Sequence, residues 1–318
     1  MSDYWSRKKV LVTGGSGFLG TSVVAKFRAA GCTELTVPRS AQHDLRNADA
    51  ASELVEAVQP DLVIHLAARV GGIGANMARP AELYLENLLL GTNVIEACRH
   101  GGVDKLVVVG TICSYPKHSP VPFSETDLWN GYPEQTNAPY GIAKLAQLVH
   151  LQANREQYGQ CGIYLMPTNL YGPGDKFHSA VSHVIPALIK KCVDACDRND
   201  SSISVWGSGS ATREFLYVDD AAEGILLAAQ HFDGAEPVNL GAHDELAIKD
   251  LVKLIAELTG FDGEIVWDKT KPDGQPRRCV DTTRAKQEFG FQASTTFKEG
   301  LQKTISWYQA NRAEAERK

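Results

Sequence analysis

What the chain lacks narrows it first. Among its 318 residues there is no unbroken apolar run long enough to cross a membrane; glycine or charge interrupts each apolar stretch. The seven cysteines (Cys32, Cys98, Cys113, Cys161, Cys192, Cys196, Cys279) are odd in number and include no C-x-x-C pair. That argues against a disulfide framework and against a structural zinc site, so no metal is expected. Cys192 and Cys196 lie one helical turn apart and are given no role. Positive charge is not in excess: the net charge is -6, which offers nucleic acid or an anionic membrane surface little to bind. An anionic ligand must instead be held by local cations and helix ends. No internal repeat, low-complexity tract or long linker interrupts the chain. The first nine residues carry basic side chains but no apolar core of a signal peptide. A reducing cytoplasm is therefore the expected setting. What remains, 43% hydrophobic and 22% charged residues, suits a globular protein with a sizeable core, in one large domain or two.

The beginning is the most informative part. A short apolar strand, Val10-Leu11-Val12, enters Thr13-Gly14-Gly15-Ser16-Gly17-Phe18-Leu19-Gly20, and a helical pattern follows to about residue 31. Gly14-x-x-Gly17-x-x-Gly20 between a strand and a helix is the setting of a dinucleotide-binding turn. Glycines let backbone approach a pyrophosphate, and the helix start offers free N–H groups. A second strand near 34–37 ends in Pro38-Arg39-Ser40. An acid at this position would bind a ribose 2′-hydroxyl, whereas Arg39 suits a 2′-phosphate and predicts NADP. Asp44 stands within reach of the adenine, a turn-forming aspartate being the alternative. A helix over 48–58 leads to a buried strand, 62–66, in which His65 reads as a core residue. Leu66-Ala67-Ala68 then opens a run of small residues, through Gly72 and Gly74, able to line the cofactor. A long helix over 81–100 and a strand over 106–109 bring the chain to Thr111 and Cys113. Alternating strands and helices predict an α/β fold with a doubly wound parallel sheet, whose ligands lie beyond the carboxyl ends of the strands.

A proline-rich loop leads to Asn137-Ala138-Pro139-Tyr140-Gly141-Ile142-Ala143-Lys144 and a helix to about residue 158. Four residues apart on a helix, Tyr140 and Lys144 share one face. An ammonium there is expected to lower the phenol pKa and suit it to proton transfer at a carbonyl oxygen. After a strand over 163–166 and Pro167-Thr168-Asn169-Leu170 the alternation loosens. A helix within 178–191 carries His183 near its start, a short strand over 203–206 ends at Trp206, and amphipathic helices are expected over 248–258 and 297–311. Between these last two, the loop from Lys271 to Arg278 carries three cations. The expected division is a Rossmann domain over 1–172 and a smaller α/β substrate-binding lobe over 173–318. A segment near 213–242 is expected to return to the first domain.

Thr-Gly-Gly-x-Gly-Phe-Leu-Gly, the strand-end Thr111 and the Tyr140/Lys144 pair together resemble the extended short-chain dehydrogenase/reductase superfamily. Within it the chain is similar to the GDP-L-fucose synthase family. Cys113-Ser-Tyr-Pro, Asn137 to Lys144, Pro167-Thr-Asn-Leu-Tyr-Gly-Pro, Ser182-His-Val-Ile-Pro-Ala-Leu, Val205-Trp-Gly-Ser-Gly, Arg213-Glu-Phe-Leu and Lys271-Pro-Asp-Gly-x-Pro-Arg carry that likeness in order. The resemblance implies NADPH-dependent 3,5-epimerisation and 4-reduction of GDP-4-keto-6-deoxy-D-mannose. By the same resemblance Thr111, Tyr140 and Lys144 form the reductase triad, while Cys113 and His183 move protons during epimerisation. Cofactor contacts are implied for Gly14, Ser16, Gly17, Phe18, Leu19, Gly20, Arg39, Asp44, Leu66, Ala67, Ala68, Lys144, Pro167, Asn169, Leu170 and His183. Substrate contacts are implied for Lys191, Trp206, Arg213 and Lys271. Lys191 stands where an arginine can bind phosphate, keeping the charge without the bidentate fork. A related GDP-4-keto sugar, such as a deoxyheptose or dideoxyhexose, is the neighbouring substrate choice; a non-catalytic NADP-sensing regulator would be expected to lack Tyr140 or Lys144. A homodimer through the 81–100 and 139–158 helices is implied by resemblance alone.

Overall fold

The computed structural model describes residues 4–71, 73–178, 182–271 and 275–317. The first three residues, Gly72 of the small-residue run, residues 179–181 and Pro272-Asp273-Gly274 of the cation-bearing loop lie outside the described residues. In the N-terminal half, strands β1 (Lys9–Thr13), β2 (Glu34–Thr36), β3 (Leu62–His65), β4 (Lys105–Val109) and β5 (Gly162–Pro167) alternate with helices. These are α1 (Phe18–Ala29), α2 (Ala48–Val58), α3 (Ile73–Ala78), α4 (Pro80–His100) and α5 (Ala138–Tyr158). With β6 (Asn169–Tyr171), α6 (Val184–Arg198), β7 (Ser202–Trp206), β8 (Thr212–Tyr217), α7 (Val218–His231) and β9 (Val238–Leu240), the six-stranded sheet is complete. Its order is β2-β1-β3-β4-β5-β9, and each pairing is parallel. The chain leaves β1 toward β2 and recrosses to β3, so the topological switch falls between β1 and β3, where ligands of doubly wound sheets bind.

Strand periodicity explains the apolar runs. Successive side chains point to opposite faces, and both faces are covered. Val10, Val12, Ile64, Val107, Val109, Ile163 and Leu165 pack on one side with Val23, Phe27 and Ile225 of α1 and α7. Leu11, Val63, Leu106, Val108, Tyr164 and Met166 pack on the other with residues of α2, α4 and α5. Each such buried aliphatic contributes roughly 1.5–3 kcal/mol.

The remainder consists of β10 (Glu245–Ala247), α8 (Ile248–Thr259), β11 (Glu264–Asp268), β12 (Arg277–Arg278), α9 (Thr283–Phe289), α10 (Phe297–Ala310) and α11 (Arg312–Ala315). A separate core forms where α6, α8 and α10 bury Ile185, Ile189, Leu251, Ile255, Leu301 and Ile305. Strand β8 links the two parts: β6, β10 and β12 all pair with it. Its Glu214, fully buried, accepts hydrogen bonds from the backbone N–H groups of Ala242 (2.5 Å), His243 (2.9 Å) and Val280 (2.8 Å). One carboxylate thus ties the loop after β9 to the segment after β12. Among the described residues no helix is long and apolar enough to cross a membrane, and no cluster of side chains could hold a metal ion.

Candidate active site

The carboxyl ends of β1, β3, β4 and β5 open into one cavity of about 1380 Å³ that continues into the smaller lobe. This exceeds the usual size of a pocket for one drug-sized ligand. Its floor begins at the glycine turn. Gly14 has φ +73°, and a Cβ at Gly20 would stand 2.1 Å from the Gly14 carbonyl oxygen, so neither position tolerates a side chain. Gly17 is the N-cap residue of α1 and supplies no side-chain cap, leaving the first-turn N–H groups free to meet an anion. A bare backbone cradle on a helix start fits the pyrophosphate of a dinucleotide. Gly14, Ser16, Gly17, Phe18, Leu19, Gly20, Asp44, Leu66, Ala67, Ala68, Pro167, Asn169, Leu170 and His183 all line the cavity.

Arg39 does not line it; its side chain is exposed on the loop beyond β2. Asp44 does, but its carboxylate accepts from the Arg46 side chain (Nη2, 2.7 Å) and from the Arg46 backbone N–H (3.1 Å). Those bonds hold it down to about 2. Arg46 also meets Glu86 at 2.6 Å, and Arg69 meets the same Glu86 at 3.0 Å, making an ion-paired rim beside the switch point. His65 is wholly buried, with Nδ1 2.7 Å from Thr13 Oγ1 and burial pushing it down to about 3, as suits a core residue.

The reacting groups converge where β4 ends. Thr111 caps the short 3-10 turn Ile112–Ser114, its Oγ1 accepting from the Cys113 N–H at 3.2 Å. Helix α5 lies directly against this turn: a Cβ at Gly141 would stand 2.4 Å from the Cys113 carbonyl oxygen. Ser114 Oγ donates to the Gly141 carbonyl oxygen at 2.9 Å. The approach places the Tyr140 phenol beside the Thr111 hydroxyl and beside Cys113. Thr111, Cys113, Tyr140 and His183 all face the cavity, whereas Lys144 lies beneath it, 1% exposed.

One expectation is reversed. The Tyr140 phenol pKa is raised, not lowered: burial dominates, Cys113 adds to it, and the Thr111 hydrogen bond opposes both. Burial also pushes Lys144 down to about 7, so near neutral pH only about half of it carries the ammonium that would favour the phenolate. His183, at the N-cap of α6, is reached by water from the cavity yet hemmed in by protein. That desolvation, with the nearby Lys176 charge, lowers its pKa and favours the neutral imidazole.

On the far side stand Lys191, Trp206 and Arg213. Lys191 donates to the Ser204 carbonyl oxygen at 2.8 Å, and burial lowers its pKa. Lys271 is exposed outside the cavity lining, its Nζ 5.4 Å from the centre of the Trp206 ring. The same lining includes residues not singled out in the sequence: Asp175, Lys176, Gln275 and Arg278. Asp175 is 2% exposed, keeps one carboxylate oxygen unpartnered and is pushed up to about 7 by burial. The Tyr-Gly-Pro-Gly-Asp run that carries it was legible only as a strand end.

The model of the NAD dependent epimerase/dehydratase family matches residues 10–241, which include the glycine turn and the Tyr140–Lys144 helix. The chain belongs to this family. Within this family's reach it is 42% identical over 304 residues to "Probable GDP-L-fucose synthase 1" of Oryza sativa subsp. japonica, covering 95% of this chain and 92% of the relative. It is 35% identical to the GDP-L-fucose synthase of Escherichia coli (strain K12), covering 96% and 98%. A solved structure of a GDP-L-fucose synthetase from Naegleria fowleri bound to NADP superposes with a TM-score of 0.87 at 30% identity, over 96% of this chain and 95% of that one.

Proposed function

We propose that this epimerase-family protein carries out NADPH-dependent 3,5-epimerisation and 4-reduction of GDP-4-keto-6-deoxy-D-mannose, giving GDP-L-fucose. What carries the reading is that one cavity is lined at once by a pyrophosphate cradle, the Thr111–Tyr140 pair, Cys113 and His183. NADPH, when bound, supplies the hydride. The C4 ketone of the sugar acidifies the hydrogens on carbons 3 and 5. Cys113 and His183 exchange protons at those carbons, and the neutral His183 ring is ready to accept one near neutral pH. The Thr111 and Tyr140 hydroxyls face the oxyanion as it develops, and Tyr140 then gives its proton to the C4 oxygen. Lys191, Trp206 and Arg213 hold the GDP moiety, with Lys271 over Trp206 at the rim. Incubation with the keto sugar and NADPH in heavy water should give GDP-L-fucose carrying deuterium at carbons 3 and 5. A C4-reduced sugar with both centres uninverted would overturn the reading.

The Rossmann part and the smaller lobe divide the work, cofactor on the first and sugar nucleotide mainly on the second. Seven free thiols suit a reducing cytoplasm. Two copies pair through α4 and α5. Supporting this are a groove of about 380 Å³ lined by Pro80, Ala81, Tyr84, Tyr132, Pro139 and Ile142, and exposed Leu85 and Val149 on the same two helices. Sedimentation velocity should return twice the 34.6 kDa chain mass. Tyr84→Glu combined with Leu85→Glu should halve it; a wild-type monomer would remove the dimer from the reading.

A further inference from the structure

Strand β12 holds two arginines whose side chains part company. Arg277 turns away from the cavity and pairs with Glu245 at 2.5 Å. Arg278, on the opposite face, lines the cavity and has no carboxylate within ion-pair distance among the described residues. Its Nη1 instead points at the Cys113 sulfur, 3.9 Å away. The aim is fixed from behind: Arg278 Nε donates to Gln275 Oε1 at 2.9 Å, and Gln275 Nε2 donates to the Lys117 carbonyl oxygen at 3.0 Å. Gln275 is 8% exposed, so this clamp is shielded from solvent. Lys117 lies four residues beyond Cys113, so the clamp joins the thiol-bearing segment to the strand bearing the guanidinium.

We propose that Arg278 is a positioning residue for Cys113, balancing the charge on its sulfur during proton exchange at the sugar. The proposal rests on the epimerase/reductase reading above. When the thiol protonates carbon, the S–H bond breaks, the enolate π pair forms the C–H bond, and sulfur is left as thiolate. In the reverse sense, the thiolate takes the proton, and the C–H pair moves into the enolate whose oxygen faces Thr111 and Tyr140. Either way the sulfur is anionic on one side of the step, and a fixed, permanently charged guanidinium beside it lowers the cost of that charge.

The test compares wild type, Arg278→Met and Arg278→Lys. Without substrate, the rate at which iodoacetamide alkylates Cys113 at neutral pH is followed by peptide mass spectrometry, since thiolate is the reacting form. With substrate, deuterium wash-in at carbons 3 and 5 is compared with reduction of the already inverted keto sugar. Arg278→Met should slow alkylation and wash-in by about tenfold or more, as loss of a facing charge predicts. Reduction of the inverted ketone should stay within about threefold, and Arg278→Lys should recover most of both losses. Wild-type alkylation by Arg278→Met, or a raised KM for both sugars with kcat unchanged, would overturn the proposal and make the residue a bystander or a diphosphate holder. Failure of the wild-type enzyme itself to wash in deuterium would instead count against the proposed function.

Discussion

Tyr140→Phe is expected to slow NADPH-dependent reduction by about 10²–10⁴-fold, the usual worth of a positioned proton donor, while leaving the fold and the cofactor cradle intact. The substitution removes one oxygen and keeps the ring, which packs against the turn carrying Cys113. The lost oxygen is the one beside the Thr111 hydroxyl, at the place where the ketone oxygen would be held. Proton exchange at carbons 3 and 5 should fall much less, because Thr111 still faces the enolate oxygen and neither Cys113 nor His183 is touched. The direction of the Tyr140 shift adds a pH signature. A phenol whose pKa is raised by burial stays protonated throughout the neutral range, and only a protonated phenol can donate. The reduction rate should therefore show no alkaline loss traceable to Tyr140 below the ordinary phenol value of about 10. Stopped-flow NADPH oxidation by both proteins across this range checks both points. Reduction by Tyr140→Phe within about twofold of wild type would remove the phenol from the role of proton donor.

The six-stranded sheet was readable because its central strands β1, β3, β4 and β5 are buried on both faces and stand out as apolar runs, and because Gly14, Gly17 and Gly20 mark a strand-to-helix turn. The smaller lobe was harder. Strand β11 alternates exposed and half-buried residues, β10 and β12 span three and two residues, and α9 only seven. Segments so short carry no periodicity to count, and their partners lie far away in the sequence: β10 and β12 pair with β8, and β11 pairs with β7. The site divides in the same way. Thr111, Cys113, Tyr140 and His183 lie in recognisable local strings, and the fold brings them to one cavity. Arg278 reaches Cys113 across 165 positions, and Glu214 clamps backbone N–H groups 28 to 66 positions away. Nothing local announces either contact. The sense of the Tyr140 shift was misjudged for a related reason. Spacing on a helix reveals which charge is a neighbour, but the depth to which α5 sinks against β4 and β5 decides whether that neighbour is charged at all.

That depth gives Lys144 a measurable cost, and Lys144→Met should expose it. The side chain is 1% exposed, no carboxylate pairs with it among the described residues, and its pKa falls from 10.5 to about 7. The unfolded chain therefore binds a proton that the folded chain gives up between about pH 7 and 10.5. Stability must rise with pH through that window, and below it the folded protein bears the full cost of a buried ammonium. At 1.36 kcal/mol per unit, the cost is on the order of 3–5 kcal/mol as an upper bound. Methionine keeps the apolar stem and removes the charge. The variant should melt at a higher temperature than wild type near pH 6.5, and the gain should shrink as the pH rises toward 10.5, above which the wild-type lysine is neutral in both states. Reduction should meanwhile fall by roughly 10²-fold or more if the ammonium helps set the proton donor and the cofactor ribose. Calorimetric melting at several pH values without added cofactor, beside NADPH oxidation rates, separates the two effects. A variant less stable than wild type near pH 6.5 would mean that the fold uses the Lys144 charge, and a stable variant with wild-type reduction would take Lys144 out of the triad.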